Sequence, residues 1–492
     1  MDSRGHIPVQ LPVPNPTPSY WHEPKAAIAN YRSADGLPSS ADYVIIGSGI
    51  SGTMVAWNLL EKGVKGKVVM LEAREACGGA TGRNGGHTKA ASYRTYADHR
   101  AHLSPEEALK IVRLEHANIV ATHAFAREHG IECESRPCNT VDIVYDKEAF
   151  ENGKESIEMI RGDVSEGERK EGGVGWYQVW GKEDAIKRFW VSKENESRIV
   201  KEKEELQGAF EYAAGSLSAY RFTVGILELC LKRGLQLWTN TAVTEVRPIF
   251  RGENGETGGT GFLWEIHASL SIVRTQNVVM ATNGYTAHLL PAMQGLIVPM
   301  RGLLTAQIPG PKAKFPTPLP TTYSFIYNQG YEYMIPRLLP GSSDGQHIVI
   351  GGGLGRQNDG GVSEYGTCDD STMNQEMSIY LKEAARGYFG VENWGEGKEN
   401  EKLRVKKEWT GIMGATRDGL PLVGEIPGMK RFWISAGFNG NGMVLCLKSA
   451  EALSHLMVGG SRDQIEWFPS SFLISEERMN TEKFEGRRNM KP

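Results

Sequence analysis

The stretch "ADYVIIGSGISGTMVAWNLLEKGVKGKVVMLE", residues 41–72, constrains the fold of this chain more than any other. Tyr43 to Ile46 is a short continuous apolar run, the pattern of a central parallel strand covered on both faces, and it stops at Gly47. Gly47, Gly49 and Gly52 follow at GxGxxG spacing. Met54, Val55, Leu59 and Leu60 then recur at helical spacing as far as Gly63, which is placed as a C-cap. A second apolar strand, "KVVMLE", ends on Glu72, about 20 residues beyond the last glycine, where a nucleotide fold places its acid.

Each of these residues meets one requirement of a dinucleotide site. Gly47 turns the chain, Gly49 lets the backbone approach a pyrophosphate and Gly52 packs helix on strand. The helix N-terminus faces negative charge, and the Glu72 carboxylate accepts hydrogen bonds from ribose hydroxyls. Ser48, Ile50 and Ser51 within the turn, and Ala73 and Arg74 directly after the acid, belong to the same expected site. Glycine-rich turns are common, so the strand before, the helix after and the acid at the right distance carry the reading. "GGGLG" at 351–355 lacks them: it follows the strand "HIVIGG" but precedes polar "RQNDGG", and reads as a strand end and loop.

At 492 residues the chain is long for one core, so two domains or one large discontinuous unit are expected. Lys and Arg total 55 against 59 Asp and Glu, a net charge of -4 with no basic stripe, which argues against a nucleic-acid partner. Six cysteines at 77, 133, 138, 230, 368 and 446 form no CxxC pair and no zinc-type spacing, so free thiols in a reducing, cytoplasmic setting and no metal are expected. The N-terminal "MDSRGHIPVQLPVPNPTPSYWHEP" has no apolar core of a signal peptide and reads as an extended arm lying over the body. No apolar run approaches the roughly 20 residues of a membrane span, and "NMKP" at the end is not a peroxisomal address.

Glu72 disfavours NADP but leaves FAD and NAD open. A nicotinamide enzyme would continue to alternate strand and helix, whereas here "AREACGGATGRNGGHTKAASYRTY" interrupts with bare backbone at Gly79, Ala80, Gly85 and Gly86 and with polar Thr81, Arg83, Asn84 and His87. Something extended lies against it. "GLQLWTNTAVTEVRPI", the turn-rich "RGENGETGGTG" and "FLWEIHASLSIVRTQNVVMATNGYT" read as a β-meander returning to a strand, Val278 to Ala281, that ends in Thr282, Asn283 and Gly284. "FWISAGFNGNGMVLCLKSAEALSHLM" gives a strand, a Gly/Asn turn and a helix from about Gly442, whose N-terminus aims amides at an electron-rich group.

GSGISG with Glu72, GRNGG, TNTAVTEV, ATNGYT and "RDGLPLVG…FWISAGFNGNGM" together resemble the D-amino-acid oxidase, glycine oxidase and sarcosine oxidase superfamily of FAD enzymes. GRNGG is similar to the branch that includes γ-glutamylputrescine oxidases and many fungal relatives. The resemblance covers residues 41 to about 460. It implies an α/β protein, α+β overall, in which a Rossmann-like FAD-binding domain built from discontinuous segments is joined to a substrate domain with a large antiparallel sheet. The expected division is an arm at 1–39, an FAD-binding domain at 40–100, 206–300 and 408–465, a substrate-binding domain at 101–205 and 301–407, and a C-terminal tail at 466–492.

The resemblance also distributes roles. It places Gly47 to Gly52 on the pyrophosphate, Glu72 on the ribose and Val243 at adenine. Gly437, Phe438, Gly440, Asn441, Gly442 and Met443 bring a helix to the flavin C2 carbonyl, though Asn439 and Asn441 also suit a turn with positive φ. Arg83 is expected at the pyrophosphate or the dimethylbenzene edge, Gly85 and Gly86 against the ring, and His87 and Lys89 near the reacting face. Packing is the ordinary use of a lone histidine and a surface position that of a lone lysine. Arg301, Tyr333, Arg337, Trp409 and Met413 are expected in the substrate pocket, with Tyr285 a further aromatic candidate. Met413 stands where glycine-oxidase-like relatives carry an Arg for an α-carboxylate, which moves the balance toward amines, with Arg337 as the remaining clamp. Gly411 stands where sarcosine oxidases carry the flavin-linking Cys, so non-covalent FAD is expected, Cys77 and His87 being the nearby alternatives for a bond.

The implied activity is oxidation of a CH–NH bond in a small-molecule amine, with hydride passing to flavin N5, an imine as product and O2 reduced to hydrogen peroxide, in a monomer or homodimer. Amino-acid oxidases, dehydrogenases and tailoring flavoenzymes acting on larger metabolites are the alternatives within the class. A flavin monooxygenase fits less well, because "RDGLP" is a poor substitute for its GD motif. A non-catalytic flavoprotein is the remaining alternative.

Overall fold

The computed structural model describes residues 1–249, 263–395, 404–480, 483–484 and 486, so the turn-rich stretch at 251–261 and the terminal "NMKP" lie outside the described residues. Two sheets organise the chain. In the first, the strands run in the order Leu422–Glu425, Phe432–Ala436, Ile272–Met280, Ser40–Ile46, Val68–Leu71 and Gln236–Trp238. The last five of these are mutually parallel. Val243–Pro248 and Trp264–Ala268 form an antiparallel pair that joins the sheet along Ile272–Met280. The expected meander is therefore present, and its returning strand begins earlier than the sequence suggested.

Strand period explains how the sheet is buried on both faces. Ile45, Met70, Leu237 and Val279 turn to one side, into a core shared with the helices Ile50–Glu61, Ala219–Lys232 and Gly442–Met457. Val44, Ile46, Val69, Leu71, Val278 and Met280 turn to the other, against Trp264, Ile266 and Leu290.

The second sheet runs Val405–Thr416, Ile297–Gln307, Gln346–Gly351, Gly330–Leu338, Thr322–Tyr327, Arg136–Val144, Gly208–Ser216 and His87–Thr88, with Tyr177–Gly181 paired to Gly208–Ser216. Its neighbours are antiparallel except where Thr322–Tyr327 meets Arg136–Val144 in parallel, so the sheet is mixed at that one seam. "GGGLG" is a strand end followed by a short turn, as expected.

Three placements depart from the segment boundaries drawn on the sequence. Gly208–Ser216, grouped there with the FAD-binding segments, pairs in the second sheet. Ile297–Gln307 and Val405–Thr416 each run as one long strand through a boundary. The helix Pro105–Glu128, grouped with the substrate segments, is joined to the helix Gly442–Met457: Asn118 donates to Met443 O at 3.1 Å and accepts from Lys448 N at 3.1 Å. An amphipathic pattern shows that a helix has an apolar face but not which layer covers it. The N-terminal arm does lie over the body, with Gln294 donating to Gly5 O and Ile7 O and Thr17 N donating to Asp370 O. No helix among the described residues is long and apolar enough to cross a membrane.

Gly52 sits where the first helix touches the first strand, and a Cβ there would lie 2.1 Å from Gly47 O and 3.2 Å from Ile45 Cγ2. Gly52→Ala should therefore destabilise the fold by about 1–3 kcal/mol through overpacking. A fall in the urea midpoint with an unchanged m-value would show it; an unchanged midpoint would mean that this contact yields freely.

Candidate active site

The first strand ends at Gly47, whose φ of 106° suits glycine and whose Cβ would lie 2.6 Å from Ala281 O. The chain can then pass close beneath the end of Ile272–Met280. Gly49 is the N-cap of the first helix and offers no side chain, while Ile50 N donates to Thr81 Oγ1 at 3.0 Å. A Cβ on Gly49 would meet that same hydroxyl at 3.1 Å. The bare backbone is therefore favoured by Thr81 of the loop opposite as well as by any ligand.

Glu72 lines the cavity that opens here, and its carboxylate is oriented from behind. Oε2 accepts from Ser48 N at 3.0 Å and Ser48 Oγ at 2.7 Å, and Oε1 accepts from Arg74 N at 2.9 Å. Ser48 is thus a support for the acid, fully buried and outside the cavity wall. Gly52, Gly86, Gly284 and Gly437, also expected at the cofactor, likewise stand behind the wall, where close packing and turns use them. Gly86 and Gly437 have φ of 75° and 73°.

One continuous cavity joins the segments that the sequence singled out separately. From the first strand-turn-helix it takes Gly47, Gly49, Ile50, Ser51, Glu72, Ala73 and Arg74; from the following loop Gly79, Ala80, Thr81, Arg83, Asn84, Gly85, His87 and Lys89. Val243, Ala281, Thr282, Asn283 and Tyr285 come from the meander and its end, and Phe438, Gly440, Asn441, Gly442 and Met443 from the last turn and helix. That turn is built as a clamp: Asn439, at φ 51°, donates to Thr416 Oγ1 and Gly437 O and accepts from Thr416 N. Asn441, the N-cap, has φ of -97°, so of the two asparagines only Asn439 takes the positive-φ role. Its side chain caps nothing, which leaves the first amides of this helix directed at the cavity.

Arg83 lines the cavity but is heavily committed. Nε donates to Thr410 O at 2.6 Å, Nη2 to Thr17 Oγ1 at 2.8 Å and to Thr17 O, and Asp370 lies 3.5 Å from Nε. Arg74 donates to both oxygens of the same Asp370 at 3.0 Å. The arm closes over this cluster, with Trp21 donating to Asn84 O and with Leu11 and Pro12 in the cavity wall. The proline-rich arm showed in the sequence only that it is extended; nothing in it pointed to the cavity.

At the other end, His87 Nε2 is within 2.6 Å of Thr322 Oγ1, and burial holds its pKa well below the usual histidine value, so the ring is neutral. Lys89 is not a surface residue. It is buried against Asp142 and donates to Ser324 Oγ, and Asp142 also accepts from Tyr93 at 2.8 Å and Tyr212 at 3.0 Å. Burial lowers the lysine pKa and the Asp142 charge opposes that shift. Tyr333 and Met413 line the cavity, Tyr333 packing over Gly85, where a Cβ would lie 2.6 Å from its ring.

Arg301, Arg337 and Trp409 do not reach the cavity. Arg301 alternates to the face opposite Gly302 and pairs with Glu364 at 2.7 Å. Arg337 lies four residues along the strand from Tyr333, roughly 13 Å at strand rise, and is bidentate to Glu134 with its guanidinium over Tyr20. Trp409 is stacked on Tyr20 and donates to Arg83 O at 2.7 Å. Cys77 is fully buried outside the wall, with burial raising its pKa, and so is no partner for a covalent cofactor. Sequence reasoning missed Arg94 and Glu115 in the wall, which sit on helices whose register gave no functional signal.

Comparison with known proteins agrees with this geometry. The family model described as FAD dependent oxidoreductase, DAO, matches residues 42–456, and the chain belongs to that family. A glycine oxidase from Pseudomonas aeruginosa is 25% identical over 232 residues, 46% of this chain and 53% of that relative. The chain thus matches about half the length of that relative, and 17% of a glycine oxidase from Pseudomonas putida, at 31% identity over 61 residues or 12% of this chain. Among solved structures, glycine oxidase from Geobacillus kaustophilus superposes with a TM-score of 0.65 at 18% identity, covering 89% of this chain and 99% of that one. L-Amino acid deaminase from Proteus myxofaciens, in complex with anthranilate, gives 0.63 at 18% identity over 92% and 96%. These likenesses establish the fold.

FAD is the family's cofactor, and the wall fits it. Two helix N-termini and the oriented Glu72 face the cavity, and the buried Tyr285 Oη in its wall has no hydrogen-bond partner among the described residues. Thr17→Val removes the arm's hydroxyl from Arg83 and should weaken FAD binding about tenfold, the effect of one lost charge-assisted hydrogen bond. Flavin fluorescence released on dilution measures it; full retention would show that the arm does not hold this part of the wall.

Proposed function

We propose that this chain is an FAD-dependent oxidase of a CH–NH bond in a small-molecule amine, with non-covalent FAD, an imine product and O2 reduced to hydrogen peroxide. Bound FAD would supply the hydride acceptor and the route for electrons to O2. Gly49 to Ser51 and Glu72 would hold its pyrophosphate and ribose, Val243 its adenine, and the amides of Gly442 and Met443 an electron-rich edge of its ring, where their dipole favours added negative charge. The first sheet would thereby serve the cofactor and the second the substrate. Six unpaired cysteines support a reducing, cytoplasmic setting.

The observation that carries the amine reading is Met413. At the cavity wall it presents a thioether where a carboxylate clamp would need a guanidinium, and Arg337 is held elsewhere by Glu134. Leu303, Leu304, Ile412 and Tyr333 make that wall apolar and would exclude water from an amine bound unprotonated. His87, neutral and fixed by Thr322, can orient a substrate without competing for its proton. Lys89 would place a positive charge where reduced oxygen develops a negative one. An amino-acid substrate is the second reading, favoured by Arg94 in the wall and by what the names of the relatives say those proteins act on.

Anaerobic mixing of the yellow holoprotein with alkylamines, N-methyl amines and amino acids should bleach the flavin with amines, and peroxide should appear in air. Bleaching by amino acids alone would overturn the reading of Met413. Lys89→Met combined with Asp142→Asn, which leaves no buried carboxylate unpaired, should slow reoxidation by O2 roughly hundredfold while reduction by amine continues. In the unaltered protein the reoxidation rate should fall as pH rises through a value below lysine's usual 10.5, because burial lowers this pKa and the ammonium is the active form. A flat profile would remove Lys89 from the oxidative step.

A further inference from the structure

The cavity extends past Lys89 to a wall made by two helices, with Ala91, Arg94 and Thr95 from Tyr93–His102 and Glu115 from Pro105–Glu128. The charges along this wall differ in how they are satisfied. Lys89 is paired with Asp142, so together they offer a substrate little net charge. The Arg94 guanidinium lies over the Tyr331 ring, 4.3 Å from its centroid. Glu115 accepts a hydrogen bond from Ser92 Oγ at 2.5 Å, and among the described residues no basic side chain forms an ion pair with it. A half-buried carboxyl group set in a cavity wall, with no basic partner among the described residues, is complementary to a cationic ligand group that would enter by that cavity.

We propose that Glu115 is the seat for a second, distal ammonium group of the amine substrate, so that the enzyme prefers diamines to monoamines of the same length. The inference rests on the amine-oxidation reading and adds to it a substrate class. The reacting amine would lie unprotonated beside Met413 and Tyr333, while the far ammonium enters the wall at Glu115. Burial pushes the Glu115 carboxyl up to about 7, so the seat gains its charge as pH rises through that value. Ser92 and the Tyr177 phenol on a neighbouring strand face it, and Arg94 and Thr95 line the same cavity. Arg94 disfavours a free cation on its own side of the wall, which confines an ammonium to the Glu115 side.

The test compares anaerobic flavin reduction by cadaverine, n-pentylamine and ε-aminocaproate, three chains of similar length ending in a cation, a methyl and a carboxylate. In the wild-type holoprotein cadaverine should exceed n-pentylamine about tenfold or more in kcat/KM, the effect of one close charge pair. That ratio should grow as pH rises through about 7. Deprotonation of the reacting amine affects both substrates alike, so the ratio isolates the seat. Glu115→Gln should bring the two within about threefold and flatten the pH dependence, since one close charge pair is lost. Flavin content measured on each protein separates loss of the seat from loss of the fold. Equal rates for cadaverine and n-pentylamine in the wild type would overturn the proposal without any variant, as would a pH-independent ratio. Preference for ε-aminocaproate would overturn it in favour of an anion at Arg94. If none of the three reduces the flavin while amino acids do, the amine reading itself fails and takes this inference with it.

Discussion

The carboxylate of Asp370, fully buried between Arg74 and Arg83, is the interaction on which the assembly of the cavity depends. Arg74 follows Glu72, the cavity-lining acid at the end of a strand of the first sheet, and Arg83 belongs to the loop that would run beneath a flavin. Asp370 O also accepts from Thr17 N at 2.7 Å and from Thr410 Oγ1 at 2.9 Å. One residue thus joins the nucleotide segment, the N-terminal arm and the last long strand of the second sheet. Two guanidiniums so close together would repel each other without it, and a buried pair broken by removing its partner is costly, about 3–5 kcal/mol. Burial and the neighbouring Arg74 act against the Arg83 charge, and Asp370 supports it. The two layers therefore meet at a point that is polar but satisfied, and the cavity is held open between them.

That arrangement explains what the sequence could disclose. Backbone requirements were legible because only glycine meets them: Gly47 with its positive φ and the uncapped Gly49 leave the same trace in any chain that builds this turn. Periodicity was legible too, because Ile45 and Val44 must serve two cores on opposite faces of one strand. Side-chain destinations were not. Arg301, Arg337 and Trp409 stand in strands that do reach the cavity, yet Arg301 is paired with Glu364, Arg337 with Glu134, and Trp409 is stacked on Tyr20 and bonded to Arg83 O. Strand register decides such cases, and pairing between Ile297–Gln307 and Val405–Thr416 is a long-range fact that no local window contains.

Lys89 shows the same limit from the other direction. In the sequence it is one polar residue in a loop of polar residues, and its partner is 53 positions away. Burial is possible only because Asp142 arrives on the next strand but one in the sheet, with Tyr93 and Tyr212 filling the remaining acceptor positions on the carboxylate. Burial lowers the Lys89 pKa, and the Asp142 charge opposes that shift. Asp142 thus favours the charged form of Lys89 while cancelling that charge at a distance.

Cancellation of that kind has a consequence for specificity. If the Lys89–Asp142 pair marks the reacting end, as proposed, that end would be close to neutral and give little electrostatic preference between amines and amino acids, so discrimination would come from groups further out. Under the proposed function, the apolar wall at Met413 would disfavour a carboxylate beside the reacting carbon, because it offers no donor to replace the water that the carboxylate would lose. The cavity wall also carries polar groups, with Arg94 and Glu115 on adjacent helices rather than on the strands that hold Leu304 and Met413. Under the proposed function, chemistry and recognition would be borne by different elements, and a change at the helix wall would alter which amine is accepted while the strands and turns around the rest of the cavity stay as they are.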